Sequence, residues 1–313
     1  MSESKPVPVG PKGVVAIAIA SVFGVAAFGW PFLIAPRSGL ADGLDAWLVF
    51  GGLLALVTVT VLALLADGTM DAKAVAMLGV LSAVAAAVRP LGAGTAGIEP
   101  LFFVIILGGR AFGPGFGFVL GSTALFSSAL LTGGVGPWLP FQMFAAAWVA
   151  MGAGLLPRAS GRGEVALLAG YGAAAAFIYG LVMNLSFWPF ILGPGTSISF
   201  VPGDPVSDNL VRFLAYDLAS SMGWDLGRAI TTALLVGLTA RPVLRALRRA
   251  GRRAAFDAVP EFTAAAAPLP KTPLTKTNPP PGTAPPLQPS AATESGGLSS
   301  AAASPRLFTP SRA

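Results

Sequence analysis

The stretch FLAYDLASSMGWDLGRAI, Phe213 to Ile230, gathers the side chains best suited to chemistry in this 313-residue chain. Asp217, Ser221, Trp224, Asp225 and Arg228 follow at i, i+4, i+7, i+8 and i+11, which is one face of a helix. Asp225 and Arg228 stand three apart and can pair along that helix. Two carboxylates on one face invite an acid–base reading. Their separation of eight residues is about 12 Å of helical rise, too far to share one substrate atom. Paired charges beside a flat indole suit the binding of a ring-shaped ligand better.

Further polar groups stand at what should be the same ends of other helices. Tyr179, Asn184 and Trp188 lie in YGLVMNLSFWPF, with Asn184 and Trp188 four apart on one face. Trp138 and Gln142 share a face in the same way. Arg89 and Glu99 flank the glycine loop of LGAGTAGIEPLFF. That loop contains a complete G-x-G-x-x-G at Gly92, Gly94 and Gly97. The motif binds a pyrophosphate only between a strand and a helix. Here it joins two hydrophobic helices, so the nucleotide reading fails and a loop allowing close backbone approach remains. A structural ion pair and an interfacial aromatic belt are the plainer readings of some of these residues, but one shared outward pocket accounts for them together: Arg89, Glu99, Trp138, Gln142, Asn184, Trp188, Asp217, Trp224 and Asp225.

Composition decides what must position them. Apolar residues make up 54% of the chain and charged residues only 11%, with a mean hydropathy of +0.73. A soluble domain carries about 25% charged residues, so the expected class is a polytopic membrane protein. The chain has neither Cys nor His, which removes disulfides, thiolate nucleophiles, imidazole bases and the usual zinc sites. No catalytic, metal or cofactor residue is expected.

A bilayer core of about 30 Å takes roughly 20 helical residues. Eight candidate segments meet or approach that length: about Val14–Ala35, Ala46–Ala66, Ala72–Val88, Ile98–Ala111, Gly115–Leu131, Trp138–Leu156, Val165–Leu192 and Asp208–Arg241. The last is expected to stop before Pro242. The first exceeds a signal-peptide h-region and lacks a clear cleavage site, so it reads as a retained helix.

Cations near segment ends set the orientation. An inside N-terminus gathers Lys5, Lys12, Lys73, Arg110, Arg158, Arg162 and the run from Arg241 to Arg253 on the cytoplasmic side. Outside it leaves Arg37, Arg89 and Arg212, beside Asp42, Asp45, Glu99, Asp204 and Asp208. Both termini are therefore expected in the cytoplasm. The net charge of +6 then reflects a topology anchor against anionic headgroups and not nucleic-acid binding. From about 259 onward Pro, Ala, Thr and Ser dominate, a composition expected to stay disordered.

Small residues form ridges at Gly79, Ala83 and Ala87, at Gly117 and Gly121, and at Ala146, Ala150 and Gly154. Such ridges let helices approach closely, within the bundle or onto another membrane subunit.

From Asp71 to about Phe256 the order of features resembles the substrate-binding S component of energy-coupling factor (ECF) vitamin transporters. The resemblance rests on AKAVAMLGVLSAVAAAVRPL, RAFGPGFGFVLGSTALFSSALLTGG and GPWLPFQMFAAAWVAMGAGLLP, followed by a final helix with a basic end. It implies an all-α fold: a six-helix S-component-like core over 71–258, preceded by an extra transmembrane helix pair in 1–70 and followed by the 259–313 tail. It also implies an outward vitamin pocket in the plasma membrane. Docking through Gly79, Ala83 and Ala87 would be onto a transmembrane T component that carries two ABC-type ATPases. The extra helix pair departs from the family pattern. No Walker A sequence is present, so energy would come from the partners. On this reading the chain is not an enzyme, and a corrinoid is the leading substrate. The alternatives are an intramembrane enzyme using the paired carboxylates, or an independent secondary carrier.

Overall fold

The structure, a computed structural model, describes residues 6–33, 46–92, 95–192 and 195–254. Every regular element among them is a helix: α1 (Pro11–Phe28), α2 (Trp30–Leu33), α3 (Ala46–Ala66), α4 (Ala72–Val88), α5 (Leu101–Phe112), α6 (Pro114–Thr132), α7 (Leu139–Leu155), α8 (Gly161–Ile191), α9 (Val206–Ser220) and α10 (Met222–Ala254). Six of them, α1, α3, α4, α6, α8 and α10, are long and apolar enough to cross a membrane. α5 and α7 are shorter apolar helices. Length and composition thus mark a multi-pass membrane protein. The expected Pro/Ala/Ser/Thr tail, and Lys5, Arg37, Asp42 and Asp45, lie outside the described residues.

From α3 to α8 successive helices alternate in direction, and α9 and α10 run on in one direction. The Val7 N–H donates to the Phe112 carbonyl at 2.8 Å, tying the start of α1 to the end of α5. At the opposite end the Trp30 indole donates to the Ser186 carbonyl at 2.9 Å. One end of the bundle therefore holds the α4–α5, α6–α7 and α8–α9 connections, and is called the loop end below. The other holds the Arg-rich half of α10, and is called the basic end.

The core is built on bare backbone. α6 packs on α7 through Gly117 and Gly121, whose Cα atoms press against the Ala150 and Ala146 carbonyls. A Cβ at Gly121 would overlap that carbonyl. Gly79 on α4 is the opposite case: it is exposed, and a Cβ there would meet nothing. Gly121→Ala should therefore lower stability by about 1–3 kcal/mol through overpacking. Gly79→Ala should hold or slightly raise it, since Ala is the better helix former. Paired thermal unfolding curves in detergent check both, and equal losses would mean that the α6–α7 contact is looser than it looks.

Polar groups fasten this frame at fixed points. Asp71 caps α4, its carboxylate accepting from the Ala74 N–H at 2.8 Å. Ser82 on α4 meets Thr123 on α6 at 2.7 Å. α1 packs against α7, where the Trp148 indole donates to Ser21 at 3.0 Å. At the basic end Glu164, the N-terminal acid of α8, accepts from Arg110 of α5 and from both Nη atoms of Arg248 of α10. Arg110 also donates to the Leu156 and Pro157 carbonyls.

Three helix expectations need correction. The segment Asp208–Arg241 is not one helix: α9 ends at Ser220, and Ser221 has φ −110°. The interruption is local, because the Ser221 N–H still donates to the Asp217 carbonyl and the Asp225 N–H to the Ser221 carbonyl. Nor does Pro242 end the last helix, which runs through it to Ala254. A proline there forfeits one hydrogen bond, to the carbonyl four residues earlier. Packing of Ala240, Leu244 and Leu247 into the core on both sides of it holds the helix together. The first segment also ends earlier than expected, with α1 closing at Phe28 and a single turn, α2, following.

Candidate functional site

Charge collects at the loop end, where three elements converge. α5 begins with the Glu99–Pro100 approach, α8 contributes Ala176 and Tyr179, and α10 contributes Asp225 and Arg228. The convergence depends on the glycine loop lying directly on α10. Gly97, with φ +74°, sits against the Trp224 carbonyl, and Gly227 sits against the Ala96 carbonyl. Side chains at either position would hold the two backbones apart. Ala93 and Gly94 of the loop lie outside the described residues.

Arg228 is the hub. Its Nε donates to Glu99, and its Nη1 donates to Asp225 and to the Ala176 carbonyl. Its guanidinium carbon stands 5.1 Å from the Tyr179 ring centroid and 5.8 Å from that of Phe102, a cation–π arrangement on two rings. Asp225 is 3% exposed, lies against the bare backbone of Gly180, and accepts from Ser221 as well. The Asp225–Arg228 pair thus forms along α10 and reaches across to the α4–α5 loop.

A cavity of about 240 Å³ opens beside this hub, lined by Arg89, Pro90, Gly92, Gly97, Ile98, Glu99, Thr132, Trp224 and Arg228. Arg89 leaves the end of α4 in a 3₁₀ turn, Arg89–Leu91. It donates to Ser128 of α6 and to Gln142 of α7, each at 3.4 Å. Trp224 is 46% exposed at the rim. Three of the nine residues expected in the pocket, Arg89, Glu99 and Trp224, line this cavity. Asp225 and Gln142 stand behind the wall, each bonded to an arginine that lines it.

The remaining four lie elsewhere. Asn184 on α8 donates to Asp217 on α9 at 2.7 Å, and Asp217 is 8% exposed. Trp188 does not line this cavity. It is 0% exposed at the centre of a second apolar cluster with Phe213 and Tyr216, and its indole donates to the Ile198 carbonyl at 2.8 Å. The hydrogen bond satisfies the indole N–H that burial would otherwise leave costly. Trp138 is 43% exposed, and its indole donates to the Gly134 carbonyl in its own turn. It shares a helical face with Gln142 but does not line this cavity.

Arg228 and Thr132 are lining residues that the expected pocket omits. Arg228 follows Trp224 by four residues, so the helical spacing that selected Trp224 also carried the signal for it. Thr132 has no such signal, because only the packing of α6 against the α4–α5 loop brings it to the cavity. The Gly79, Ala83 and Ala87 ridge faces outward on α4, all three exposed. Gly117, Gly121, Ala146 and Ala150 are buried between α6 and α7.

No family model, curated protein or solved structure matches the chain.

Proposed function

We propose that this chain is the substrate-specific membrane subunit of an ECF-type importer, capturing a vitamin or similar micronutrient for uptake driven by partner ATPases. One observation carries the reading. In a bundle that is apolar almost throughout, charged groups from the end of α4, the approach to α5 and α10 converge beside a cavity open at one end. Ionisable groups at membrane depth are costly and mark ligand or ion pathways by default.

Two further features support it. Lys12, Lys73, Arg110, Arg158, Arg162 and the α10 arginines from Arg241 onward sit toward the basic end, which by the positive-inside rule supports termini in the cytoplasm and a cavity facing outside. The exposed small-residue face of α4 suits docking onto a T component, which would in turn carry two ABC-type ATPases. On this reading the core spans the membrane six times, with α1 and α3 as an additional pair.

The carboxylates favour binding over catalysis. Asp217 is held by Asn184, and Asp225 by Ser221 and Arg228, and neither lines the cavity. A volume of about 240 Å³ falls below the roughly 300–1,000 Å³ of sites for drug-sized ligands. It favours a compact ring over the corrinoid expected from the Trp and carboxylate residues of the sequence.

Purification in mild detergent followed by mass spectrometry of the bound small molecules tests the proposal. A stoichiometric micronutrient, lost in Trp224→Ala, is the expected result. Ala83→Leu should leave that binding intact and abolish uptake by blocking the docking face. An empty protein that binds none of a vitamin panel would remove the uptake reading.

A further inference from the structure

The two guanidiniums on the cavity wall are in opposite electrostatic situations. Arg228 is saturated by Glu99, Asp225 and the Ala176 carbonyl, with aromatic rings beside it. Arg89 has only neutral partners among the described residues, the Ser128 hydroxyl and the Gln142 amide oxygen. Both stand at 3.4 Å, beyond the usual 2.7–3.2 Å range for an N–H···O bond. A partly buried guanidinium normally has a carboxylate, because desolvation must be offset by an opposite charge. The end of α4 offsets roughly half a charge through its aligned carbonyls. The rest meets no carboxylate among the described residues.

We infer that the ligand of this cavity carries an anionic group, a carboxylate or a phosphate, that docks on Arg89. The inference rests on the reading of the cavity as a ligand site. A guanidinium presents two parallel N–H donors to such a group, a geometry that an ammonium lacks. Ser128 and Gln142 hold the fork in place from α6 and α7 without neutralising it. Glu99 also faces the cavity, but its charge is taken up by Arg228. Asp217 and Asp225 do not reach the wall, so the surface met by the ligand bears two guanidiniums against one carboxylate. Trp224 at the rim supplies a flat apolar face for the body of the same ligand. The solute is thus a compact ring bearing an acidic substituent. A phospholipid headgroup offers the same anionic chemistry, and the two sources separate experimentally.

The test uses the full chain in detergent with two matched probe pairs, nicotinate against nicotinamide and phenyl phosphate against benzyl alcohol. Tryptophan fluorescence and thermal stability are the readouts. The anion of each pair should bind at least tenfold more tightly than its neutral counterpart. Arg89→Gln should erase that preference, while Arg89→Lys, which keeps the charge and loses the fork, should retain part of it. Equal binding of neutral and anionic probes, a preference that survives in Arg89→Gln, or no response to either anion overturns the inference. A phospholipid retained by the native chain and lost from Arg89→Gln, with no response to the soluble anions, assigns the anion to a headgroup and removes the solute. A neutral micronutrient copurifying with the protein overturns the anionic assignment while leaving the uptake function standing.

Discussion

Replacing Arg228 with methionine is expected to cost about 3–5 kcal/mol of stability, the loss typical of breaking a buried ion pair from one side. The substitution keeps most of the side-chain volume but strands Glu99 and Asp225 without a counter-charge. Asp225 is almost fully buried, so little water is available to replace the guanidinium. The consequence is also directional. Glu99 is the tie between the α4–α5 loop and α10, and the loop rests on α10 through Gly97 and Gly227. Losing the tie should open the cavity wall as well as weaken the fold. The control is a triple variant, Glu99→Gln with Asp225→Asn and Arg228→Met, which removes all three charges. Buried ion clusters replaced by neutral groups often regain stability, so the triple variant should be more stable than Arg228→Met alone. Denaturant or thermal unfolding in detergent measures both. Should Arg228→Met unfold like the native chain, the carboxylates are solvated and the hub is not the electrostatic unit described.

The second large effect is expected at the opposite end. Glu164→Ala removes the acceptor shared by Arg110 and Arg248. The Arg110 side chain is 8% exposed and is pinned by the Leu156 and Pro157 carbonyls, so it cannot turn to water. An unpaired guanidinium held in that position should cost about 3–5 kcal/mol. Glu164→Gln retains an acceptor and should lose less, about 1.5–3 kcal/mol, the worth of hydrogen bonds to a charged group. Arg248 is less buried than Arg110, so its release should show as motion more than as lost stability. Faster hydrogen exchange over 241–254 in the Glu164→Ala variant, with the loop end unchanged, is the expected pattern. Uniform exchange across the whole chain would mean that Glu164 acts on global folding and does not clamp α10 locally.

These two clusters differ in how visible they are in sequence. The Asp225–Arg228 pair is legible because both members lie on one helix at a spacing that brings side chains together. Glu99 is separated from Arg228 by most of the bundle, and only the glycine loop returning onto α10 joins them. Glu164 carries a weaker signal still, a lone acid opening a helix whose neighbours are cations. Neither Arg110 nor Arg248 announces itself as its partner, since each also satisfies the topology rule as an ordinary flanking cation.

Trp188 and Trp224 make the same point for aromatics. Both sit near helix ends beside polar residues, and both qualify for a pocket or for an interfacial belt. One is sealed beneath Phe213 and Tyr216, and the other stands half-exposed at a cavity rim. Trp224 lies on a polar stripe, whereas the loop-end half of α8 has none to mark its inward face, so only packing shows that Trp188 is sealed.

By itself the sequence determined the class of this protein. Apolar runs of membrane-crossing length, scarce charge and the absence of Cys and His follow from composition and spacing, which need no neighbour to be read. It also placed the small-residue ridges, though not their roles. The tertiary structure decided that the α6 and α7 ridges face each other while the α4 ridge faces outward. It decided that the last segment breaks at Ser221 and continues through Pro242. It also separated the saturated arginine, Arg228, from Arg89, which meets only neutral partners. The physical reason is common to all three. Burial and charge pairing are properties of what lies across a contact, and in an apolar bundle nothing along a single helix records its partner.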